Sequence, residues 1–284
     1  MGHQWVAATY DSPKHCTKCG LTEGMALTKL KPKLSTGSGT RADPYRLRTP
    51  EDLELLRNQP NAYYRLENDI DFANSVFTPI GEFGGVLNGN GYAIRGVTFK
   101  YINGATGMAA ALIVNVLKSG VVENLTLECE MRAEKQENTD GAGITVCNEG
   151  IIRNCNVTAN IQNSYTAGGI TRNNTVSGQI VNCNVTLTTN NCKFVGGIAE
   201  YQSGTLSNCS AEIQVTGATS IGGIAYANAG SIKECTATGV GKLFENNGCL
   251  GGVVGENLEG GEIYTSTSIV ETGTGERFPT VGSA

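Results

Sequence analysis

The stretch Gly150-Ile-Ile-Arg-Asn-Cys-Asn-Val-Thr-Ala-Asn-Ile161 carries the information that decides the fold. Its apolar and polar residues alternate with period two, the period of a strand, and not with the 3.6 of a helix. Ile152 and Asn154 share one parity while Cys155 and Val157 share the other, so the alternation slips by one residue at Asn154-Cys155. A slip of this kind between two strands reads as a corner. Asn suits it, because Asn tolerates the left-handed backbone conformation better than most residues do.

The same phrase recurs on both sides. Gly-x-(Ile/Val/Leu)-x-Asn stands at Gly120-Val-Val-Glu-Asn124, Gly150-Ile-Ile-Arg-Asn154, Gly178-Gln-Ile-Val-Asn182 and Gly204-Thr-Leu-Ser-Asn208, then degrades to Gly230-Ser-Ile-Lys-Glu234 and Gly261-Glu-Ile-Tyr-Thr265. The leading glycines are 30, 28, 26, 26 and 31 residues apart. A second phrase keeps step with the first: Ala142-Gly-Ile144, Gly168-Gly-Ile170, Gly196-Gly-Ile198, Gly222-Gly-Ile224 and Gly251-Gly-Val253. Two phrases repeating in phase are the mark of a solenoid. A unit of this length, with two or three short strands and sharp corners, is one turn of a parallel β-helix whose coils stack about 4.8 Å apart. The Gly pairs read as further corners, where positive φ or close backbone approach is needed.

This register predicts two ladders. Asn124, Asn154, Asn182 and Asn208 should stack with their side-chain amides bonded along the axis, as in other stacked-strand structures. Cys155, Cys183, Cys209 and Cys235 share one repeat position with Leu125 and Ser266, which predicts an inward stack of reduced thiols behaving as small hydrophobes. Neighbouring coils would bring their Cα atoms within disulfide range, but parallel Cβ vectors suit a disulfide poorly. Cys129, Cys147, Cys192 and Cys249 follow no paired spacing.

Composition agrees with a narrow solenoid. The 284 residues include 38 glycines, with 39% hydrophobic, 17% charged and only 6% aromatic residues. Glycine is well above its usual share of roughly 7%, yet it lacks a three-residue period, which excludes collagen, and the apolar fraction excludes wholesale disorder. No run approaches the ~18 apolar residues of a membrane span. The N-terminus, Met-Gly-His-Gln-Trp, lacks a secretory signal core. That predicts either export by another route, such as lysis with a virus particle, or a secreted protein whose signal has been removed. The net charge of −5 divides unevenly: residues 1–50 carry eight Lys/Arg and three Asp/Glu, a net +5, which leaves −10 on residues 51–284. An acidic body argues against nucleic acid as a partner. A basic arm can dock on an acidic surface, or it can be a solvated linker.

Thr49-Pro-Glu-Asp-Leu-Glu-Leu-Leu-Arg57 has an N-cap Thr, Pro at N1 and acids in the first turn, and so predicts a short helix covering the open edge of the first coil. The organisation expected is a small module at 1–34, a flexible linker at 35–44, an N-terminal cap at 45–76, β-helix coils at 77–270 and a tail at 271–284, frayed or covered by a partner. The fold class is all-β: a right-handed parallel β-helix of about six to seven coils with a short capping helix and a zinc-knuckle-like N-terminal module. In that module Cys16-Thr-Lys-Cys19-Gly20 has the spacing of a zinc knuckle, His3 is a third ligand and His15 an awkward fourth. One structural zinc follows, the alternative being a reduced CxxC; no acid or base accompanies it for catalysis.

Gly-Gly-Ile-Ala followed by Gly-x-Ile-x-Asn-Cys-x-Val-Thr resembles the GLUG-type repeats of bacterial surface proteins and of phage or prophage proteins. The resemblance covers roughly residues 45–270, with Phe77-Thr-Pro-Ile-Gly through Gly85-Val-Leu-Asn-Gly-Asn-Gly-Tyr-Ala-Ile-Arg-Gly-Val-Thr-Phe99 as an opening coil. The phrase His3-x-Trp5 … Cys16-x-x-Cys19-Gly resembles zinc-ribbon-like modules attached to Firmicutes surface and phage proteins. Members of the repeat family share a fold more than a function.

Catalysis on a β-helix would need carboxylates in neighbouring columns. Glu149, Glu200 and Glu256 come nearest, but their offsets from the Gly-Gly phrase differ, so they form no column. No nucleophile motif, phosphate loop or HExxH occurs. Asn156, Thr158, Asn160, Asn173, Asn184, Thr186, Thr188 and Asn190 face outward or sit in corners by parity. Such a wall can hydrogen-bond sugars, and it is also what any soluble β-helix presents to water. The expectation is a non-enzymatic attachment protein, a phage virion surface component (fibre, spike or decoration protein) presenting its wall to a host surface or glycan. Its N-terminal module would bind capsid or tail proteins, without membrane insertion and with homo-oligomerisation open. The rivals are a bacterial cell-surface adhesin and a polysaccharide-degrading enzyme.

Overall fold

In the computed structural model the described residues are 5–6, 14–19, 22–23, 36–103, 107–244, 248–272 and 275–282. The chain forms two compact units, Met1–Thr36 and Gly37–Ala284. In the first, Trp5–Val6, Lys14–Cys16 and Thr22–Glu23 make an antiparallel three-stranded sheet with Trp5 opposite Cys16.

The second unit is a parallel β-solenoid of about seven turns. Each full turn has four strands, more than the two or three expected, because the Gly-Gly phrase separates two strands that the repeat pattern alone merges. In one coil these are Thr139–Ala142, Thr145–Asn148, Ile151–Arg153 and Asn156–Gln162. Their equivalents stack into sheets of seven, seven, nine and eight strands, here walls 1 to 4.

Periodic alternation fills the interior. On wall 3, Tyr64, Leu87, Val122, Ile152, Ile180, Leu206 and Ile232 form one buried column. At the wall 3 to wall 4 corner, Asn124, Asn154, Asn182 and Asn208 have φ between 51° and 55°. Each amide donates to the carbonyl oxygen of the Asn one coil earlier: Asn154 to Asn124 at 3.1 Å, Asn182 to Asn154 at 3.3 Å and Asn208 to Asn182 at 2.7 Å. Asn88 receives the bond from Asn124 at 3.3 Å and starts the ladder. Just inside, Cys155, Cys183, Cys209 and Cys235 are buried free thiols. Hydrogen bonding with the neighbouring thiol and burial push Cys183 and Cys209 up to about 12.

The Gly pairs serve close approach and not positive φ. A Cβ on Gly168, Gly196, Gly222 or Gly251 would lie 1.8, 1.7, 1.7 or 1.6 Å from the carbonyl oxygen of the strand that follows. A second amide ladder, invisible in the repeat phrases, runs inside wall 2: Asn148 donates to Asn174 and Asn174 to Gln202, both at 2.8 Å, and Asn228 donates to Asn257 at 2.8 Å.

The ends differ from the expected boundaries. Gly37–Pro44 is an ordered loop of the solenoid and not a free linker: the Tyr63 amide donates to the Gly39 carbonyl at 2.9 Å and the Ser38 amide to Asp43 at 3.0 Å. Tyr45–Leu47 and Tyr63–Leu66 are already parallel strands of wall 3, so the coils begin before residue 77. Between them lie the 3-10 turn Pro50–Leu53 and the helix Glu54–Asn58. The buried Asp52 carboxylate accepts from the Arg48 and Thr49 amides at 2.8 and 3.1 Å. The helix packs on Ile80–Phe83, the outermost strand of wall 2, and Arg57 donates to the Thr78 and Pro79 carbonyls at 2.8 Å each.

At the other end the tail is part of the fold. The Val253 and Val254 amides donate to the Thr280 carbonyl at 3.0 Å, Val254 bridges Val281, and Phe278 is buried. Phe278 lies over Gly241, where a Cβ would meet its ring at 2.9 Å. The tail thus fills a space that the column Met131, Ile161, Thr189, Val215, Gly241 leaves as it narrows.

The corner ladder ends on residues poorly suited to it: Glu234 and Thr265 have φ of 55° and 46°. A β-branched residue is strained there. Thr265→Asn is therefore expected to stabilise the protein by about 1 kcal/mol, and Asn182→Ala to destabilise it by about 1–2 kcal/mol; chemical denaturation of the three proteins checks both.

Candidate functional site

Two outer surfaces carry chemistry. The first is wall 4. Its outward columns Asn156–Asn184–Ser210–Thr236 and Thr158–Thr186–Glu212–Thr238 line a shallow groove that crosses four coils along the solenoid axis. Asn184 donates to Asn156 at 2.9 Å and Ser210 to Asn184 at 2.6 Å, so these side chains are held in line. Asn156, Thr158, Asn184, Thr186, Thr188 and Asn190 are exposed and Asn160 half-exposed on this wall, whereas Asn173 lies on wall 2. Hydroxyls and amides each both donate and accept, and Glu212 adds one carboxylate.

The second surface is the concave notch between walls 1 and 2. The tight Gly corner turns the outer faces of these two strands toward each other. One lip is the column Asp140, Thr166, Phe194, Ser220. The other is the column Val146, Arg172, Glu200, Tyr226, each bracketed by paired residues of the neighbouring coil. At the N-terminal end the notch holds a small apolar cluster of Ala109, Ala111, Ala142 and Val146, separate from the main core. Further along it becomes polar and aromatic. Arg172 Nε lies 3.8 Å from Asp140 Oδ1 and 3.4 Å from Glu200 Oε2. Thr166 donates to Asp140 at 2.9 Å. Phe194 and Tyr226 stack with centroids 4.8 Å apart and planes at 30°, and Tyr165 meets the edge of the pair. Tyr226 reaches the Glu256 carboxylate at 3.5 Å.

Burial raises the Glu200 carboxyl to about 7; the Arg172 guanidinium opposes this and Asp140 adds to it. Desolvation outweighs the ion pair because Glu200 is 6% exposed and its contact with Arg172 lacks hydrogen-bond alignment.

Of the acids weighed in the sequence, Glu200 stands in the column of Arg172 and Tyr226, Glu256 in that of Tyr201 and Ala227, and Glu149 follows the end of wall 2. They form no column. Asp140, passed over in the sequence, is the acid that faces Glu200 through Arg172. The signal was the alternation on either side of the Gly pair, which places residues 140 and 146 of that coil on facing lips.

In the N-terminal unit Cys16 is buried and Cys19 is exposed in the turn after its strand. His3 and the His15 side chain lie outside the described residues. No cluster of three or more His, Cys, Asp or Glu able to hold a metal occurs among the described residues.

The chain matches no known family profile. It is 29% identical over 150 residues to halomucin of Haloquadratum walsbyi, a match covering 47% of this chain and 2% of halomucin. It is 30% identical over 133 residues to a "Putative Gly-rich membrane protein" of Evansella cellulosilytica, covering 43% of this chain and 15% of that protein. The chain thus spans a small fraction of these relatives' length. The crystal structure of a "putative immunoglobulin A1 protease" from Bacteroides ovatus has a TM-score of 0.46 at 19% identity, over 82% of this chain and 86% of that one.

Glu200 makes stability depend on pH. Its folded carboxyl titrates near 7 against 4.5 when unfolded, so its contribution is fully present below 4.5 and is lost as the pH rises to about 7. Glu200→Gln is expected to be more stable than the native protein at pH 8, by at most about 3 kcal/mol, and to lose that advantage near pH 4.5. Thermal unfolding of both proteins across this range measures it.

Proposed function

We propose that the chain is a non-enzymatic, surface-displayed β-helix that presents wall 4 to a glycan or a host surface. The observation that carries this reading is the in-line array of amides and hydroxyls along the wall 4 groove, fixed by side-chain bonds from coil to coil. A polar array held in place without a ligand loses little side-chain freedom when it binds one. The GLUG-like repeat phrases fit such a scaffold.

The names of the two relatives, "Halomucin" and "Putative Gly-rich membrane protein", support a surface or extracellular setting. Among the described residues no helix is long and apolar enough to cross a membrane. Within this reading the N-terminal unit is an anchor, with Cys16, Cys19, His3 and His15 as candidate ligands of a structural zinc. A bacterial cell surface and a virion surface are both settings it would serve, through capsid or tail proteins in the second case, and the relatives favour the first.

The test is binding of the full chain to intact cells and to their purified surface polysaccharide. Thr186→Lys and Asn184→Glu should reduce retention at least tenfold while leaving the fold unchanged by circular dichroism. The reading fails if both variants bind as the native protein does. Release of reducing ends from the polysaccharide by the native chain would replace it with the depolymerase alternative. Removal of residues 1–34 should abolish attachment to the cell or particle while leaving glycan binding intact.

A further inference from the structure

A third surface, apart from wall 4 and the notch, holds an open cleft of about 470 Å³ on the outside of wall 3, bounded by the Gly37–Pro44 loop. That volume falls within the roughly 300–1,000 Å³ of small-molecule sites. Two outward columns of wall 3 line it. Tyr63, Val86 and Val121 stand in register on successive coils and are half-buried. Arg65, Asn88, Glu123 and Arg153 form the neighbouring column, two residues along each strand, so the cleft crosses four coils. At a coil spacing of ~4.8 Å it is about 14 Å long. The loop supplies the remaining side through Arg41, Ala42 and Pro44. Its own bonds hold it in shape: the Asp43 amide donates to Thr40 Oγ1 at 3.2 Å, the Ser38 amide and hydroxyl donate to the Asp43 carbonyl at 3.0 and 3.3 Å, and the Tyr63 amide donates to Gly39. A wall fixed in this way loses little freedom on binding.

The charge of the cleft is unbalanced. Of the residues lining it only Glu123 is acidic, and its carboxylate is fully engaged: Oε1 accepts from Asn88 at 2.9 Å, and Oε2 accepts from Arg153 Nε and Nη2 at 2.9 and 2.6 Å. Arg65 likewise gives Nε and Nη2 to Glu67 Oε1 at 3.1 and 2.6 Å. Arg46 and Arg48 also approach Glu67, at 3.8 and 4.0 Å, so its charge is more than matched. A guanidinium has five N–H donors, which leaves the Nη1 groups of Arg65 and Arg153 for a further acceptor. Arg41, exposed at the loop tip, makes no hydrogen bond or ion pair among the described residues. Three guanidinium groups thus line one cleft on a body whose residues 51–284 carry a net −10. Such a set selects carboxylate or sulfate oxygens. The Tyr63 ring, Val86 and Val121 on one side and hydrogen-bonding groups on the other match a pyranose, apolar across its C–H face and polar at its rim. The strands beneath are paired on both sides, so no edge is open to the main-chain hydrogen bonds by which an extended peptide adds to a sheet.

We propose that this cleft binds a short stretch of acidic polysaccharide, with its acid groups on Arg41, Arg65 and Arg153 and its sugar rings against Tyr63, Val86 and Val121. The site is separate from the wall 4 groove and does not depend on the reading of that groove.

The test is calorimetric titration of the full chain with trigalacturonate, a sulfated carrageenan tetrasaccharide, neutral galactotriose and triglutamate. Trigalacturonate or the carrageenan tetrasaccharide should bind with Kd below about 1 mM, and which of them does so identifies the acid group. Galactotriose and triglutamate should bind at least about tenfold more weakly. Raising the NaCl concentration from about 0.05 to about 0.5 M should weaken the anionic oligosaccharide at least about fivefold. Arg41→Glu, at an exposed position without partners, should weaken it at least about tenfold, Arg41→Lys should stay within about threefold of the native chain, and Thr186→Lys on wall 4 should leave it unchanged. The proposal is overturned if neither anionic oligosaccharide binds, if galactotriose or triglutamate binds as tightly, or if Arg41→Glu binds as well as the native chain. Loss with Thr186→Lys and none with Arg41→Glu would overturn it and leave the wall 4 reading standing.

Discussion

Every coil of the solenoid must hydrogen-bond to the coils above and below it through backbone groups in parallel register, and that requirement organises the rest. Because the pairing is residue for residue, each side-chain position becomes a column. An inward column meets the same core at every turn, so wall 3 repeats apolar residues at Ile152, Ile180, Leu206 and Ile232. A corner column can hold only residues that accept its backbone. The Asn column has φ above 50°, and stacking converts four conformational concessions into a chain of amide hydrogen bonds. The Gly column answers a different demand, since the strands on either side of it approach too closely for any Cβ.

Register also explains why the two ends are closed by non-repetitive means. A solenoid presents unpaired backbone at each end. At the start, helix Glu54–Asn58 packs on the outermost strand of wall 2, and Phe72, Phe77 and Phe99 cluster beneath the first coils with centroid distances of 5.4 and 6.5 Å. At the finish the core columns have shrunk to Gly239 and Gly241, and Phe278 returns from beyond the last coil to occupy the space. Thr280 then supplies the carbonyl that the last Gly-Gly-Val corner would otherwise lack.

Outward columns are free of these packing limits, which is where function can diverge from fold. On wall 4 the columns stay polar and uniform, giving an extended lattice. In the notch they do not: Asp140, Thr166 and Phe194 follow one another on one lip, Arg172, Glu200 and Tyr226 on the other. The notch is concave, so irregular side chains there meet each other and not solvent. Burial then acts on Glu200 more strongly than its cation does.

The strand period, the coil length, the corner Asn residues and the inward Cys column were legible in the sequence because each depends on contacts between equivalent residues of successive repeats, and equivalence is what a repeat displays. The capping helix was legible from Thr49, Pro50 and the acids beside it, since helix starts are local. Three features were decided only by the tertiary structure. Gly37–Pro44 looks like a linker by composition, yet the Gly39 carbonyl pairs with Tyr63. The tail looks frayed, yet Phe278 finds a cavity made by glycines in another coil. Asp140 and Glu200 sit 60 residues apart in different phrases of different coils, and only the angle between walls 1 and 2 turns them toward one guanidinium. Repetition along the axis is written in the sequence; the bend of each coil, and therefore which columns face one another, comes from how the whole turn closes on its core.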